Sequence, residues 1–416
     1  MERSALHPLA AAPGRAVAVD LAASPDRPLA VPRWLAVRLA ALAVASAAVL
    51  AVAAGVAPER AWPMVLLVGQ YGVGLGLAGI FFVALQYATG AGWSVALRRV
   101  PEAMASLLAW GGLAVLALLL VHPEVYPWAA EGALGDEPSY AFKRFWLDQP
   151  CFTVRSVLYL ALWGAFTAAI LRHSRRQDVD GEAAHTRRNV RLSIAFLVVF
   201  AVTVWLSSFD WLMSLDPHWY STIFGVYNFA GLFSAGLAMI IVVSVLLRRL
   251  GPRRVGPLAG VVNDAHFHDL GKLLFAFTTF WMYVAFSQYM LIWYANIHEE
   301  TAYFARRMQG LWEPLFLLNI ALNWVVPFGV LLPRGTKRAP RVLVKVAIAV
   351  LAGRFLDLYL MIEPEFHPQG PVFGPVEVAA AVLVAAGSLL AVLWALGRAP
   401  LVPLHDPLFA RSLRHH

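Results

Sequence analysis

The chain has 416 residues, of which 60% are hydrophobic and 14% charged, with a mean hydropathy of +0.65. A soluble chain of this length carries nearer a quarter charged residues, so the composition excludes an ordinary water-soluble domain and indicates an integral membrane protein. The net charge of +8 is accounted for by how the basic residues divide across a membrane, and it calls for no nucleic-acid partner.

Residues 1–33 are rich in Ala, Pro and Arg and lack an apolar core with a small-residue cleavage site. They read as a disordered cytoplasmic tail and not as a signal peptide. Ten apolar runs follow, near 34–57, 63–87, 103–122, 152–171, 190–209, 220–247, 270–294, 312–332, 341–362 and 375–397. Each suffices to cross ~30 Å of hydrocarbon as a helix of about 20 residues. Their continuous apolarity excludes barrel strands, which alternate. The expected fold is an all-α integral membrane protein with ten transmembrane helices.

With the span-edge residues Arg191 and Arg341 assigned to their loops, both tails and the even-numbered loops hold 23 Lys and Arg. The odd-numbered loops hold 5 and the spans another 5. The positive-inside rule therefore predicts both termini in the cytoplasm, of a bacterial inner membrane if the source is bacterial.

Three matches recur in the same order, four spans apart. Asp210, five residues and Asp216-Pro217 close span 5; Asp357, five residues and Glu363-Pro364 close span 9. QPCFTVRSVLY opens span 4 and EPLFLLNIALN opens span 8, which sets Arg155 opposite Asn319; GQY in span 2 matches GVY in span 6. An even offset makes the repeats parallel. The implied organisation is a peripheral helix over 34–62, a four-helix bundle over 63–219 (spans 2–5) and a second over 220–374 (spans 6–9). Residues 375–416 supply a second peripheral helix and a cytoplasmic C-terminal tail.

The single cysteine, Cys151, excludes an internal disulfide, an iron–sulfur centre held by this chain alone, and c-type haem attachment. All twelve histidines fall in tails, loops or span ends, so no axial ligand projects inside a bundle for a b-type haem. Any electrons would then travel in another subunit. Ionisable groups inside spans usually face a bundle interior or a water-filled path. Arg354 and Asp357, three apart on span 9, share a helix face, as an internal ion pair or as part of a proton path. Asp210 is expected to be partly buried. Asp216-Pro217 fits the cap of the next helix as well as a functional carboxylate. Asn319 and Asn323 line one face of span 8, and Gln288 and Tyr289 lie in the outer half of span 7; interhelical hydrogen bonding is the commoner use of such residues. Lys345, near the cytoplasmic end of span 9, is expected to snorkel. At the cytoplasmic entrance of span 7, His266, His268, Asp269 and Lys272 form either a hydrated proton-collecting cluster or a solvated helix start. No third and fourth ligand follows at helical spacing, so no metal site is expected.

Two blocks, SSFDWLMSLDPHWYSTIFGVYNFAG (207–231) and FHDLGKLLFAFTTFWMYVAFSQYMLIWYANIHEET (267–301), resemble the F subunit of alternative complex III, a bacterial quinol:cytochrome c oxidoreductase. The resemblance runs in order over about residues 34–400, and the family is related to the membrane subunits of polysulfide and nitrite reductases. It implies two four-helix bundles and no cofactor bound by this chain. It also implies partners: a homologous C subunit, an iron–sulfur subunit with iron–sulfur clusters, multihaem and monohaem cytochrome c subunits carrying haem c, and in some assemblies a terminal oxidase. In such complexes the C subunit is assigned the quinol pocket and the F subunit a proton path. A polar trail fitting that division runs from His266, His268, Asp269 and Lys272 through Asn319, Asn323 and Arg354 to Asp357, Asp210, Asp216 and Glu299. Quinol oxidation also needs an acid–base group beside an aromatic pocket. Trp211, His218, Tyr227 and Asn228 are the candidates for such a pocket in this chain, against the commoner reading of ordinary interface aromatics. A secondary transporter and a structural anchor are the alternatives from other classes.

Overall fold

The computed structural model describes residues 26–130, 141–250 and 256–415. Among these the regular structure is helical, with one isolated bridge, Pro28–Pro400. Among the described residues nine helices are long and apolar enough to cross a membrane. They are α1 (Arg33–Val56), α2 (Pro58–Thr89), α3 (Val95–Val121), α4 (Gln149–Asp180), α5 (Ala183–Leu215), α6 (Phe224–Arg249), α7 (Asp264–Ala295) and α8 (Gly310–Leu331), with Pro375–Leu396 the last. The remaining expected position holds α9 (Pro340–Phe366), a helix of 27 residues, or about 40 Å at 1.5 Å per residue. Lys345, Arg354 and Asp357 set it apart from the other nine, and Pro375–Leu396 becomes α10. A multi-pass membrane protein follows from these helices.

Hydrocarbon offers the backbone no hydrogen-bond partners, so long apolar runs must satisfy their own amides as helices. The chain stops them where it needs a left-handed residue. Gly90 (φ 63°) ends α2, Gly181 (φ 71°) ends α4, and Asn296 (φ 50°) ends α7. Pro58, Pro340 and Pro375 begin α2, α9 and α10, where the missing amide costs nothing. Asp216 does not cap α6, which starts only at Phe224; its carboxylate accepts from the His218 amide at 3.2 Å in a tight turn.

Two helices form the centre. The apolar stretches of α2 and α6 are 78% and 89% buried, against 17% for α1 and 22% for α8. In packing order α2 touches α3, α3 touches α4, α4 touches α5, and α5 returns to α2. Likewise α6 touches α7, α7 touches α8, α8 touches α9, and α9 returns to α6. The two circuits meet through α2, α5, α6 and α9, while α1 and α10 lie against each other and α2. Small residues permit the closest approaches. A Cβ on Gly111 would run into the backbone of Val73, and one on Gly236 into Ala78.

The first and last described segments are fastened to the helices. The expected disordered tail lies outside the described residues as far as 25, but the Leu29 amide donates to the Leu396 carbonyl at 3.2 Å. Near the other terminus Asp406 pairs with buried Arg98, and Ser412 accepts from the Ala96 amide at 3.1 Å.

Candidate functional site

Asp357 is 1% exposed and takes hydrogen bonds from three helices. On α9 itself, Arg354 stands one turn back and donates from Nη1 to Asp357 Oδ2 at 2.6 Å. From α6 the Tyr227 hydroxyl donates to Oδ1. From α8 the Asn319 amide donates to the same oxygen at 3.2 Å. Asn228, next to Tyr227, accepts from Arg354 Nη2 and donates to Ser208 Oγ of α5 at 2.8 Å. Asn323 donates to Asn319 Oδ1 at 2.7 Å and lies in a π turn, Ala321–Val325, that interrupts α8. A buried ion pair therefore has its remaining polar capacity met by neutral donors and acceptors, as such pairs require.

A cavity of about 220 Å³ adjoins this centre. Asp357, Asn319 and Tyr227 form its polar end, and Trp281, Gln288 and Tyr289 of α7 another wall. The Gln288 Nε2 and Trp281 Nε1 donors are buried without a hydrogen-bond partner. Over the cavity lies a short helix, His298–Arg307, held down by its last two residues. Arg307 donates to the Leu360 carbonyl at 2.8 Å and to Glu365 at 2.9 Å, and its guanidinium lies 3.4 Å from the centroid of the Tyr303 ring. Arg306 also pairs with Glu365 and stands 3.6 Å from Asp216. Trp219 stacks on Tyr303 with centroids 3.9 Å apart. Burial pushes the Tyr303 hydroxyl up to about 12 against the opposing pull of Arg307, so it stays protonated.

Asp210 sits in a separate centre between α4 and α5, fully buried. It accepts from Arg155 Nε and Nη2 at 3.0 Å each, Tyr159 at 2.9 Å and Trp146 Nε1 at 2.8 Å. The Arg155 guanidinium also stacks 4.1 Å from the Trp146 ring centroid. Four hydrogen bonds satisfy this carboxylate, and it does not line the cavity.

The cluster at the start of α7 has a local task. His266 is buried in a capping box with Asn263 and meets Ser412 Oγ at 3.2 Å. Asp269 pairs with Lys272 at 2.5 Å and with His415 at 2.6 Å, fastening the C-terminal segment. Between this cluster and Asn323, the buried face of α9 presents Leu343, Val346, Ala347 and Val350. The Tyr71 hydroxyl donates to the Leu351 carbonyl at 2.9 Å at the Asn323 end of that stretch, and among the described residues no chain of side-chain hydrogen bonds links it to the cluster.

Of the polar trail, then, Asn319, Asn323, Arg354 and Asp357 come together, joined by Tyr227 and Asn228. His266, Asp269 and Lys272 are held elsewhere, His268 is half-buried beside them, Asp210 has its own centre, and Asp216 belongs to the outer turn. Glu299 is exposed in the first turn of the short helix, outside the network. The four aromatic-pocket candidates do not assemble. Trp211 donates to Ser156 at 2.9 Å within the α4–α5 pair, His218 is exposed, and only Tyr227 and Asn228 share a site. Lys345 is exposed, as snorkelling requires.

Tyr303 and Arg307 were not legible as site residues, because loop charges and aromatics give no sign of folding back over a bundle. Glu363 was noticed as a repeat mark, not as chemistry. It is 1% exposed, meets His367 Nδ1 at 2.8 Å, and leaves Oε1 without a partner, beside the Arg60–Glu377 pair. No protein-family model matches the chain, and no curated protein is found to be similar to it.

Proposed function

We propose that this chain is a ten-span membrane subunit of a quinol-oxidising respiratory complex, in which the Arg354–Asp357–Tyr227 centre handles protons for redox centres held by partner subunits. The single observation carrying the reading is a buried carboxylate tied to three helices and open to a cavity in a chain otherwise poor in charge. A structural ion pair needs no cavity; a group that exchanges protons needs a route to one. The two packing circuits support the reading of two four-helix bundles related by the repeat, and the division of basic residues supports cytoplasmic termini in a bacterial inner membrane. The two resembling blocks support the partners: a homologous C subunit, an iron–sulfur subunit and c-type cytochromes. With no continuous hydrogen-bonded route from the cytoplasmic side among the described residues, transfer from that face needs water to enter the bundle.

The test is Asp357→Asn in the intact complex reconstituted into liposomes. The amide keeps the shape of the carboxylate but cannot ionise. Proton translocation per electron is expected to fall while quinol-dependent cytochrome c reduction persists. An unchanged ratio sinks the proposal, and an active chain purified alone favours a transporter.

A second reading has an observation of its own. The unpartnered Gln288 and Trp281 donors in the cavity wall suit the oxygen of a quinol head group entering from the bilayer. Gln288→Leu would then raise the KM for quinol and leave the proton ratio alone.

A further inference from the structure

The lipid-facing side of the first circuit holds a crevice between α3 and α4 that the functional reading does not use. The two helices touch at Gly112, where a Cβ would stand 3.0 Å from Leu160. They are tied again near their other ends, where Arg99 donates to Ser174 Oγ at 3.0 Å and also pairs with Glu102 and Asp178. Between the two ties they stand apart and leave a volume of about 570 Å³, with Ala395 of α10 also lining it. Small side chains keep it open: Ala105 and Ala109 on one wall, Gly164 and Ala168 on the other. A Cβ added at Gly164 meets no atom within 4 Å.

Such a space cannot stay empty inside a bilayer. Its walls are mostly apolar, and of the polar lining residues Glu102 is committed to Arg99 and Ser174 and Ser106 to the Ala103 carbonyl, which leaves little for ordered water that needs two to four polar partners. One buried hydroxyl in the lining, that of Thr167 at 8% exposed, has no partner within the chain. The occupant is then hydrocarbon, and the charge at one end says which kind. Arg175 closes the lining four residues beyond the apolar run 152–171, is exposed, and pairs with no carboxylate among the described residues. Arg172 and Arg176 flank it, both exposed. From Leu160 to Arg175 the crevice runs 15 residues, about 22 Å, which exceeds the ~15 Å depth of one leaflet's hydrocarbon. An acyl chain lying in it brings its phosphate level with the guanidinium, which binds phosphate through a planar fork of donors.

We infer that the α3–α4 crevice is a binding site for an anionic phospholipid, one acyl chain lying between Gly112 and Ala168 and the headgroup phosphate on Arg175. The site lies away from the Asp357 centre and needs no redox partner. It rests on the chain spanning a membrane, and the orientation proposed above assigns it to the cytoplasmic leaflet.

The full chain, purified in mild detergent with whatever partners it retains and then delipidated, is titrated with phosphatidylglycerol or phosphatidylethanolamine of identical chains and read by native mass spectrometry. One phosphatidylglycerol is expected to bind ahead of the rest. Arg175→Gln should weaken it about fivefold, the effect of one basic residue at an anionic surface, and weaken phosphatidylethanolamine less, because its ammonium offsets the charge of the same phosphate. Gly164→Leu should weaken both lipids, since its side chain occupies the crevice without striking protein; an unaltered melting temperature certifies the fold. Equal binding of the two lipids, or indifference to Gly164→Leu, overturns the inference. So does a Gly164→Cys variant that crosslinks to a partner polypeptide in the complex, because the crevice would then hold a helix. Sidedness does not enter the titration, so failure of the orientation is read separately.

Discussion

At the residue scale, the Arg354–Asp357 pair shows what spacing can and cannot specify. Residues three apart on a helix share a face, so the pair was readable from α9 alone. Its other partners were not. Tyr227 and Asn228 come from α6, well over 100 positions earlier, and only the rotation of that helix in the packed bundle brings them to Asp357. Burial gives the pair a particular energetic signature. Removing one partner strands the other in a dry site at a cost of about 3–5 kcal/mol, whereas replacing both by apolar groups is often near neutral. Arg354→Met alone should therefore lower stability by roughly that amount, and Arg354→Met with Asp357→Leu should recover most of it. Denaturant titration of the purified protein measures both. If the double variant were as unstable as the single one, the pair would be holding the helices in register through its geometry as well as its charge.

At the scale of elements, the short helix His298–Arg307 is the largest departure from the reading of sequence. Arg306 and Arg307 counted only as two basic residues on the outer side, and counting charges by loop says nothing about where a loop folds. Each in fact reaches back to Glu365 at the end of α9, and Arg307 also takes the Leu360 carbonyl. With Tyr303 stacked between Trp219 and the Arg307 guanidinium, the helix is latched over the cavity. Arg307→Ala removes the buried half of the latch and leaves three carbonyls, those of Tyr303, Leu360 and Met361, and Glu365 short of a donor. Local opening of residues 298–307 should become easier by about 2–3 kcal/mol, the scale of a hydrogen bond to a charged group. Hydrogen exchange would show it as faster exchange confined to that helix, with the protection of α2 and α6 unchanged. Spread of the effect into the central helices would mean that the latch supports the bundle instead of covering it. One of the sequence matches, by contrast, has a chemical counterpart. Setting Arg155 opposite Asn319 put two polar residues at one position, and each donates to the aspartate of its own circuit, Asp210 or Asp357.

At the scale of the whole molecule, the nine apolar helices found among the described residues were legible because hydrocarbon imposes one length and one polarity on anything that crosses it. The docking of the C-terminal segment was not, since Asp406, Ser412 and His415 sit in an unremarkable polar tail until the folded surface supplies Arg98, Ala96 and Asp269. Everything proposed about direction, including which face the Asp357 cavity opens toward, depends on the distribution of Lys and Arg. Cys151 makes the orientation easy to test, because replacing that one residue by serine leaves a cysteine-free chain. In that background His298→Cys marks the first residue of the latch helix and Glu182→Cys the turn between α4 and α5, both at exposed positions. A membrane-impermeant maleimide applied to intact cells should label the first, and the second only after the membrane is opened. The reverse pattern would put the carboxylate centre and its cavity on the cytoplasmic side, where protons are taken up instead of released, and would invert the direction of any transfer through Asp357.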